Sequence, residues 1–358
     1  MGTTETLYEQ WLALQPLNDE KQHLLSQRFM IEYNFNSNHL EGNTLTYGQT
    51  ELLLLFGKMS GNSSMKDYAE MKASVVGVKM VEDAVQDKSI PLTQNFIRQL
   101  HKVLLREDYT EHRNLPGGKI VSYTIHAGQY KTRPNSVITR YGDRFEYASP
   151  EETPALMTDL VDWYNTAEQE GKLTPIELAA LFHYRYIRIH PFEDGNGRIA
   201  RLMANYILAR HGWPMIVIRN RNKPDYLDAL HRSDLELGEV PAAGAHASLR
   251  GARHFVKYFK QTVTTELQYL VQFAMEQSEE VWWYDGQKVT FRNPSTSVML
   301  HAMRDDETLK QSDLAEIAGI DASAVSRQVA QLTKKGYIKR QEDDKWLVMI
   351  CPSIIKKS

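Results

Sequence analysis

The chain has 358 residues, 42 Lys+Arg against 45 Asp+Glu for a formal charge of -3, and 42% hydrophobic residues. That length allows two domains and a sizeable core, and the near-balanced charge excludes a general attraction to nucleic acid or to anionic membrane. A single cysteine, Cys351, permits no intrachain disulfide; with no secretory start and no run of about 18 apolar residues, the expectation is a cytoplasmic protein with no membrane partner.

Helices are expected through residues 5–60, where Leu24, Phe29, Ile31 and Phe35 form an irregular apolar face and Glu41-Gly42-Asn43 gives a stop. A second helix spans Thr46 to Gly57, and Lys58–Ser64 is a loop. Helices resume over Met65–Asp87 and Thr93–Leu105, where Ile97, Leu100, Val103 and Leu104 recur at helical spacing. From Leu115 to Pro150 the character changes. Gly117, Gly118, Gly128 and Pro134 break helix, and Val137–Thr139, a turn at Tyr141–Asp143 and Phe145–Tyr147 read as a short hairpin. Ser149-Pro150-Glu151-Glu152 and Thr174-Pro175-Ile176-Glu177 each combine a hydroxyl cap, a proline and a carboxylate, so each starts a helix. Further helices end near His211-Gly212 and span Arg253–Ser278; Trp282–Val289 is a hairpin or linker, and Asn293-Pro294 marks a boundary. The fold class is therefore all-α with one small β-hairpin, and a second domain begins near residue 290.

The chemistry concentrates in His190-Pro191-Phe192-Glu193-Asp194-Gly195-Asn196-Gly197-Arg198-Ile199-Ala200-Arg201. A glycine turn that opens a helix leaves outward N–H groups, an anion site, and Arg198 and Arg201 share a helix face beside it, which suits a polyphosphate. Mg²⁺ prefers one or two carboxylates plus phosphate oxygens, making Asp194 the natural ligand. Gly195, Asn196 and Gly197 let backbone approach phosphate, and His190 titrates near neutrality and can take a proton from a hydroxyl. No Gly-x-x-x-x-Gly-Lys-(Ser/Thr) loop competes, and His39, His101, His112, His126 and His183 lack the pairing of a zinc site.

These twelve residues resemble the signature of the Fic domain family, His-Pro-Phe-x-(Asp/Glu)-Gly-Asn-Gly-Arg-x-x-Arg, with every fixed position filled. The resemblance implies a helical bundle that transfers AMP from ATP to a Ser, Thr or Tyr hydroxyl of a target protein, or of the chain itself, with release of pyrophosphate. His190 would be the general base, Asp194 the Mg²⁺ ligand, Gly195–Gly197 the phosphate cradle, Arg198 and Arg201 the clamps, and Phe192 an apolar anchor. Ser37-Asn38-His39-Leu40-Glu41-Gly42 resembles the family's inhibitory motif, in which Glu41 would pair with Arg201 and hold ATP in a non-productive pose. Asn135–Arg140, with Val137, Ile138 and Thr139, lies where the family carries a target-binding flap. Tyr226, Leu230 and Asp234 share a stripe where the family lines its nucleobase pocket, although relatives often carry asparagine at the position of Asp234.

At the C-terminus, Leu314–Ile320 has the glycine turn of a helix-turn-helix, Ser323–Leu332 would be the recognition helix, and Lys334–Ile338 with Glu342–Trp346 a wing. Ser323, Ser326, Arg327, Gln328 and Gln331 are candidates for base or phosphate contact, and Lys334, Lys335, Lys339 and Arg340 for the backbone. The acidic residues Asp305–Glu307 and Glu342–Asp344 dilute the positive field, and winged helices also serve as protein-docking modules, so DNA and protein contact stand equally open. The expected layout is an N-terminal helical region over 1–110 carrying the inhibitory helix, a catalytic core over 111–280 and a winged helix over 290–358. An auto-inhibited adenylyltransferase is the leading reading, with ATP, Mg²⁺ and a target protein as partners, DNA or protein at the winged helix, and a homodimer left open. The alternatives are removal of AMP, transfer of another nucleotide or phosphate group, and an ATP-sensing DNA-binding regulator.

Overall fold

The computed structural model describes residues 3–61, 63–114, 120–138, 144–238, 241–275, 281–284, 287–341 and 344–353. α1 (Thr4–Ala13) is capped by Thr3, whose hydroxyl accepts from Thr6 N. α2 (Asp19–His39) follows, and α3 (Tyr47–Phe56) opens with a reciprocal Thr46–Gln49 capping exchange and stops at Gly57. α4 (Met65–Ala84) and α5 (Gln94–Leu105) lead to the antiparallel pair β1 (Tyr109–Asn114) and β2 (Ile120–Ile125). A second hairpin, β3 (Ser136–Ile138) with β4 (Arg144–Glu146), sets Val137 opposite Phe145. Then come α6 (Thr153–Glu170), α7 (Pro175–Ile189), α8 (Asn196–Arg210), α9 (Lys223–Leu237), α10 (Pro241–Ala245) and α11 (Arg253–Met275). The chain continues with β5 (Val281–Tyr284), β6 (Gln287–Val289), α12 (Pro294–Asp305), α13 (Gln311–Ala318), α14 (Ala322–Lys334), β7 (Ile338–Arg340), β8 (Trp346–Val348) and β9 (Cys351–Ser353).

Two compact units result. The first comprises Met1–Gln15, Asn36–Asn43 and Met65–Val271. Its centre is α7, buried on almost every face from Ile176 to Ile189, including the polar residues His183, Arg185 and Arg188. α7 packs on α6, α8 and α10, while α8 also meets α4 and α5. Thr174 and Glu177 exchange hydrogen bonds at the start of α7 with Pro175 inside the first turn, so the helix has a defined origin.

The second unit comprises Pro16–Phe35, Thr44–Ser64 and Gln272–Ser358. Its core gathers Trp282, Met299, Leu300, Leu314, Val325 and Trp346 with their neighbours. The indole N–H groups are satisfied: Trp282 donates to Ser297 Oγ (3.0 Å) and Trp346 to the Leu309 carbonyl (2.7 Å). α12, α13 and α14, with Gly319 in the left-handed region between the last two and the β7–β8 hairpin behind them, form the expected winged helix.

Several expectations need correction. The boundary at residue 110 is not a boundary of the fold: residues 16–35 and 44–64 cluster with the C-terminal region, while α4 and α5 pack on α8. The winged-helix unit starts before residue 290, because Trp282 is wholly buried in its core and β5 pairs with both β6 and β9. The β1–β2 pair was not foreseen. α6 begins at Thr153 rather than Ser149, since Ser149 and Glu152 exchange bonds within a preceding turn. Thr139 and the turn at Tyr141–Asp143 lie outside the described residues.

Replacing Thr174 by Ala removes the capping exchange. It is expected to lower stability by about 1 kcal/mol, read as a lower urea midpoint with an unchanged slope; an unmoved midpoint would show that the cap does not define this end of α7.

Candidate active site

α7 ends where Tyr186 O accepts the His190 N–H, with His190 itself in the left-handed region at φ 51° and ψ 61°. A non-glycine residue seldom sits there, so the surroundings must hold it. Six residues later α8 begins behind Gly195 (φ 76°), whose lack of a Cβ makes the conformation inexpensive. Between the two, Asn196 braces the turn: its Nδ2 donates to Phe192 O (2.7 Å) and its Oδ1 accepts from Phe192 N (3.0 Å). The Asn196 side chain thus shapes the loop instead of facing a ligand.

The loop is held from outside as well. The His101 ring stacks on Phe192 at 3.7 Å and 4°. Its Nδ1 accepts from Gly128 N (2.8 Å), which leaves the Nε2 proton to donate to Asp194 O (3.0 Å). Tyr147 stacks on the His190 ring at 3.8 Å and 9°. Burial first, and the Lys131 ammonium second, lower His190 to about 3, against the opposing pull of Asp194, so the imidazole is neutral at pH 7.

Asp194 is partly exposed and looks into a cavity of about 340 Å³ together with Glu41, Lys66, Glu70, Tyr109 and Arg198. The Tyr109 hydroxyl donates to its Oδ2 (2.7 Å), Gly195 N to its Oδ1 (2.6 Å), and Arg198 Nη2 stands 3.5 Å away. Burial pushes this carboxyl up, but Arg198, Tyr109 and Gly195 together hold it below the ordinary value. Among the described residues no three-residue metal cluster exists. Asp194 shares this cavity with the carboxylates of Glu41, Glu70, Glu111 and Glu193, and an ionised carboxylate so placed suits an ion whose remaining ligands are phosphate oxygens and water.

Arg201 is 3% exposed and is engaged by the expected motif, with the Tyr226 hydroxyl also bonded to it. Its Nε donates to Ser37 Oγ (3.0 Å), and its Nη2 donates to Ser37 O (2.8 Å) and to Glu41 Oε1 (2.7 Å). The segment carrying Ser37 and Glu41 is docked by further bonds: Lys223 Nζ to Leu40 O (2.7 Å), Asn220 N to Asn36 Oδ1 (2.9 Å), and Asn43 Nδ2 to Asp67 O (3.0 Å) and Glu70 Oε2 (3.2 Å). A Cβ at Gly197 would run into the Glu41 carboxylate and crowd Arg201, so glycine is what lets the two charges meet over the turn.

His190, Asp194, Gly195, Gly197, Arg198, Arg201, Ser37 and Glu41 therefore converge on one site. Val137 and Ile138 lie on β3 as expected of a flap. Tyr226 is buried among His183, Phe255 and Tyr258, with its hydroxyl 3.2 Å from His183 Nε2. Asp234 accepts from Tyr184 OH (2.7 Å) and pairs with buried Arg188 (3.0 Å), while burial raises its carboxyl. Both base-pocket candidates are thus committed to protein partners. Tyr109, His101, Lys131 and Tyr147 were missed, because no local pattern marks residues that reach the loop only through long-range packing.

On the winged helix, Gln328 accepts from Thr296 (2.7 Å) and donates to Ser295 (2.9 Å), and Ser326 donates to Gln311 (2.8 Å). Arg340 is paired with Asp344 (2.7 Å). Arg327, Gln328 and Gln331 line a cleft of about 520 Å³ with Arg292 and Lys335, with no carboxylate among its described lining residues. No helix among the described residues is long and apolar enough to cross a membrane.

Residues 91–208 match the model of the Fic/DOC family, and residues 293–345 that of the MarR family. A Fic domain containing signaling protein from Bacteroides thetaiotaomicron, of known crystal structure, is 51% identical over 78% of this chain and all of its own, with a TM-score of 0.71. Protein adenylyltransferase fic-1 of Caenorhabditis elegans is 30% identical over 232 residues, 62% of this chain and 42% of its own length. Protein adenylyltransferase Fic of Nematostella vectensis is 30% identical over 57% of this chain and 43% of its own. The chain thus spans about two-fifths of the length of these two curated relatives. With a filled signature turn between α7 and α8 and a relative matched over its whole length, the chain belongs to the Fic/DOC family.

Proposed function

We propose that the chain is an auto-inhibited protein adenylyltransferase that transfers AMP from ATP to a hydroxyl of a target protein. The observation that carries this reading is the convergence of His190, Asp194, Arg198 and Arg201 about one turn, with Arg201 occupied by Ser37 and Glu41. The target hydroxyl oxygen would attack the α-phosphorus; the bond from that phosphorus to the bridging oxygen breaks, the hydroxyl proton passes to His190, and pyrophosphate leaves. Gly195–Gly197 and the start of α8 would supply N–H donors to phosphate oxygens, and Arg198 would steady the leaving group. Mg²⁺ would be held by Asp194 with the nucleotide and would neutralise phosphate charge. The relatives named as adenylyltransferases and the intact signature support the reaction; the Glu41–Arg201 pair supports the brake, since a phosphate seeking Arg201 meets a carboxylate already there.

The winged helix carries a second proposal. Arg292, Arg327 and Lys335 around a cleft with no carboxylate among its described lining residues favour an anionic partner, and DNA over protein. Duplex binding in a gel shift should weaken steeply with salt and fall on Arg327→Ala; salt-independent binding would point to protein docking.

With MgATP, Glu41→Gly is expected to accumulate AMP-mass adducts on the protein at least about tenfold faster than wild type, corresponding to a barrier lowered by ~1.4 kcal/mol. Adding His190→Ala should abolish them. Labelling of Glu41→Gly at the wild-type level, by intact-protein mass spectrometry, would sink the brake. Absence of adducts with ATP still bound would move the reading to AMP removal, tested on pre-modified protein, or to another donor.

The depressed His190 also sets a pH expectation. A base acts when unprotonated, so a folded value lowered to about 3 by burial and Lys131 moves the acid limb downward. The initial rate of Glu41→Gly should stay flat as pH falls through 6.5; a half-maximal point near 6.5 would show that the reacting state exposes the ring.

A further inference from the structure

We infer that Lys131 is a positioning residue that fastens the flap to the backbone carrying His190; this rests on the reading of His190 as the base. Lys131 is 3% exposed. Its ammonium donates to Ile189 O (3.0 Å) and to Asn135 Oδ1 (2.9 Å), and its backbone N–H donates to Pro191 O (2.8 Å). Asn135 in turn donates from Nδ2 to Phe192 O (3.0 Å) and to His190 O (3.4 Å). Thr132 adds a hydroxyl bond to Glu193 Oε1 (3.2 Å). The carbonyls of Ile189, His190, Pro191 and Phe192 are thus all held by Lys131 and Asn135.

Ile189 O is among the last carbonyls of α7, which lack a partner within the helix, and a cation at that end also faces the negative pole of the helix dipole. Burial lowers the Lys131 amine to about 7 against the opposing pull of Glu152, a desolvation penalty that an apolar residue would avoid. A residue in the left-handed region, as His190 is, needs such over-determination.

The same clamp fixes the flap. β3 begins at Ser136, the residue after Asn135, and β4 is followed by Tyr147. Tyr147 N donates to Asn135 O (3.4 Å), while its ring lies on the His190 ring. The hairpin is therefore anchored at both ends on the base: the entering strand on its backbone, the leaving strand on its imidazole. A target segment laid along β3 would meet His190 in a set geometry, and displacement of about 1 Å at such a site costs on the order of a hundredfold in rate. The hydrogen bonds of Lys131 among the described residues go to Asn135, Ile189 and Pro191, not to Gly195–Arg201, so ATP binding is not expected to depend on it.

The test compares Lys131→Met, Lys131→Arg and Asn135→Ala in the Glu41→Gly background. Expected for Lys131→Met and Asn135→Ala is an AMP-incorporation kcat lower by about ten- to a hundredfold with the KM for ATP within about twofold; Lys131→Arg, which keeps the cation, should recover most of the rate. Hydrogen–deuterium exchange on the otherwise wild-type chain should show faster exchange in peptides covering 131–138 and 189–194 for Lys131→Met, with α4 and α5 unchanged. An unchanged kcat, or a kcat loss accompanied by an equal loss of ATP binding and protection throughout the unit, would overturn the inference. If the Glu41→Gly parent makes no adducts, the adenylyltransferase reading fails separately, and unaltered exchange at 189–194 would still refute the clamp.

Discussion

Two helices buried on nearly every face, α7 and α8, are joined by six residues, and that connection is the constraint on which the site depends. The chain must reverse between them without leaving polar backbone unpaired in a core that offers no water. It does so with two left-handed residues, His190 at one end and Gly195 at the other, and with partners drawn from α5, the flap and α8 itself. The imidazole, the Asp194 carboxylate and the N–H groups that open α8 are thereby aimed into one region. Little freedom remains to be removed when a ligand arrives, which is the form of preorganisation that positioning and electrostatic stabilisation require.

Arg201 illustrates how a buried cation is tolerated and used. A guanidinium removed from water is acceptable only when its donors are met; Ser37 and Glu41 take its Nε and Nη2, and Tyr226 also hydrogen-bonds it. In the proposed reading, the same contacts that satisfy Arg201 also withhold it from a phosphate. Glu41 remains 37% exposed, at the edge of the cavity, so it is the partner most easily displaced, while the serine contacts lie deeper. The bonds from Lys223, Asn220 and Asp67 to the segment 36–43 mean that moving Glu41 is a matter of shifting a docked turn, not of rotating one free side chain.

Charge in the winged-helix unit is arranged locally in a way that totals conceal. Glu307 takes both Lys58 (2.7 Å) and Lys345 (3.1 Å), and Asp344 takes Arg340, so two carboxylates engage three cations near the wing. Such exposed pairs add little stability, but they remove the wing lysine and arginine as independent cations. The cleft beside α14 gathers Arg292, Arg327 and Lys335 with no carboxylate among its described lining residues, while Arg327 also helps hold the nearby Asp321 carboxyl low.

How much was legible in the sequence follows the range of the physics involved. Caps and stops such as Thr46, Gly57, Thr93, Thr174, Gly195 and Gly319 act within one turn, so the helices around them were readable residue by residue. The twelve-residue signature is equally local, and with the short motif at Ser37–Glu41 it specified which groups the site would contain. The sequence could not say that Tyr109 braces Asp194, that His101 underlies Phe192, or that Lys131 holds the His190 backbone, because those residues lie 58 to 93 positions from the groups they touch, from Lys131 and Ile189 at 58 to His101 and Asp194 at 93. Nor could it place residues 16–35 and 44–64 with the C-terminal region, since no periodicity records which of several apolar faces meet. Local hydrogen bonding and spacing determined the elements and the chemical inventory; burial, which is decided only when distant segments pack, determined the tautomer of His101, the depressed basicity of His190 and the partners of Arg201.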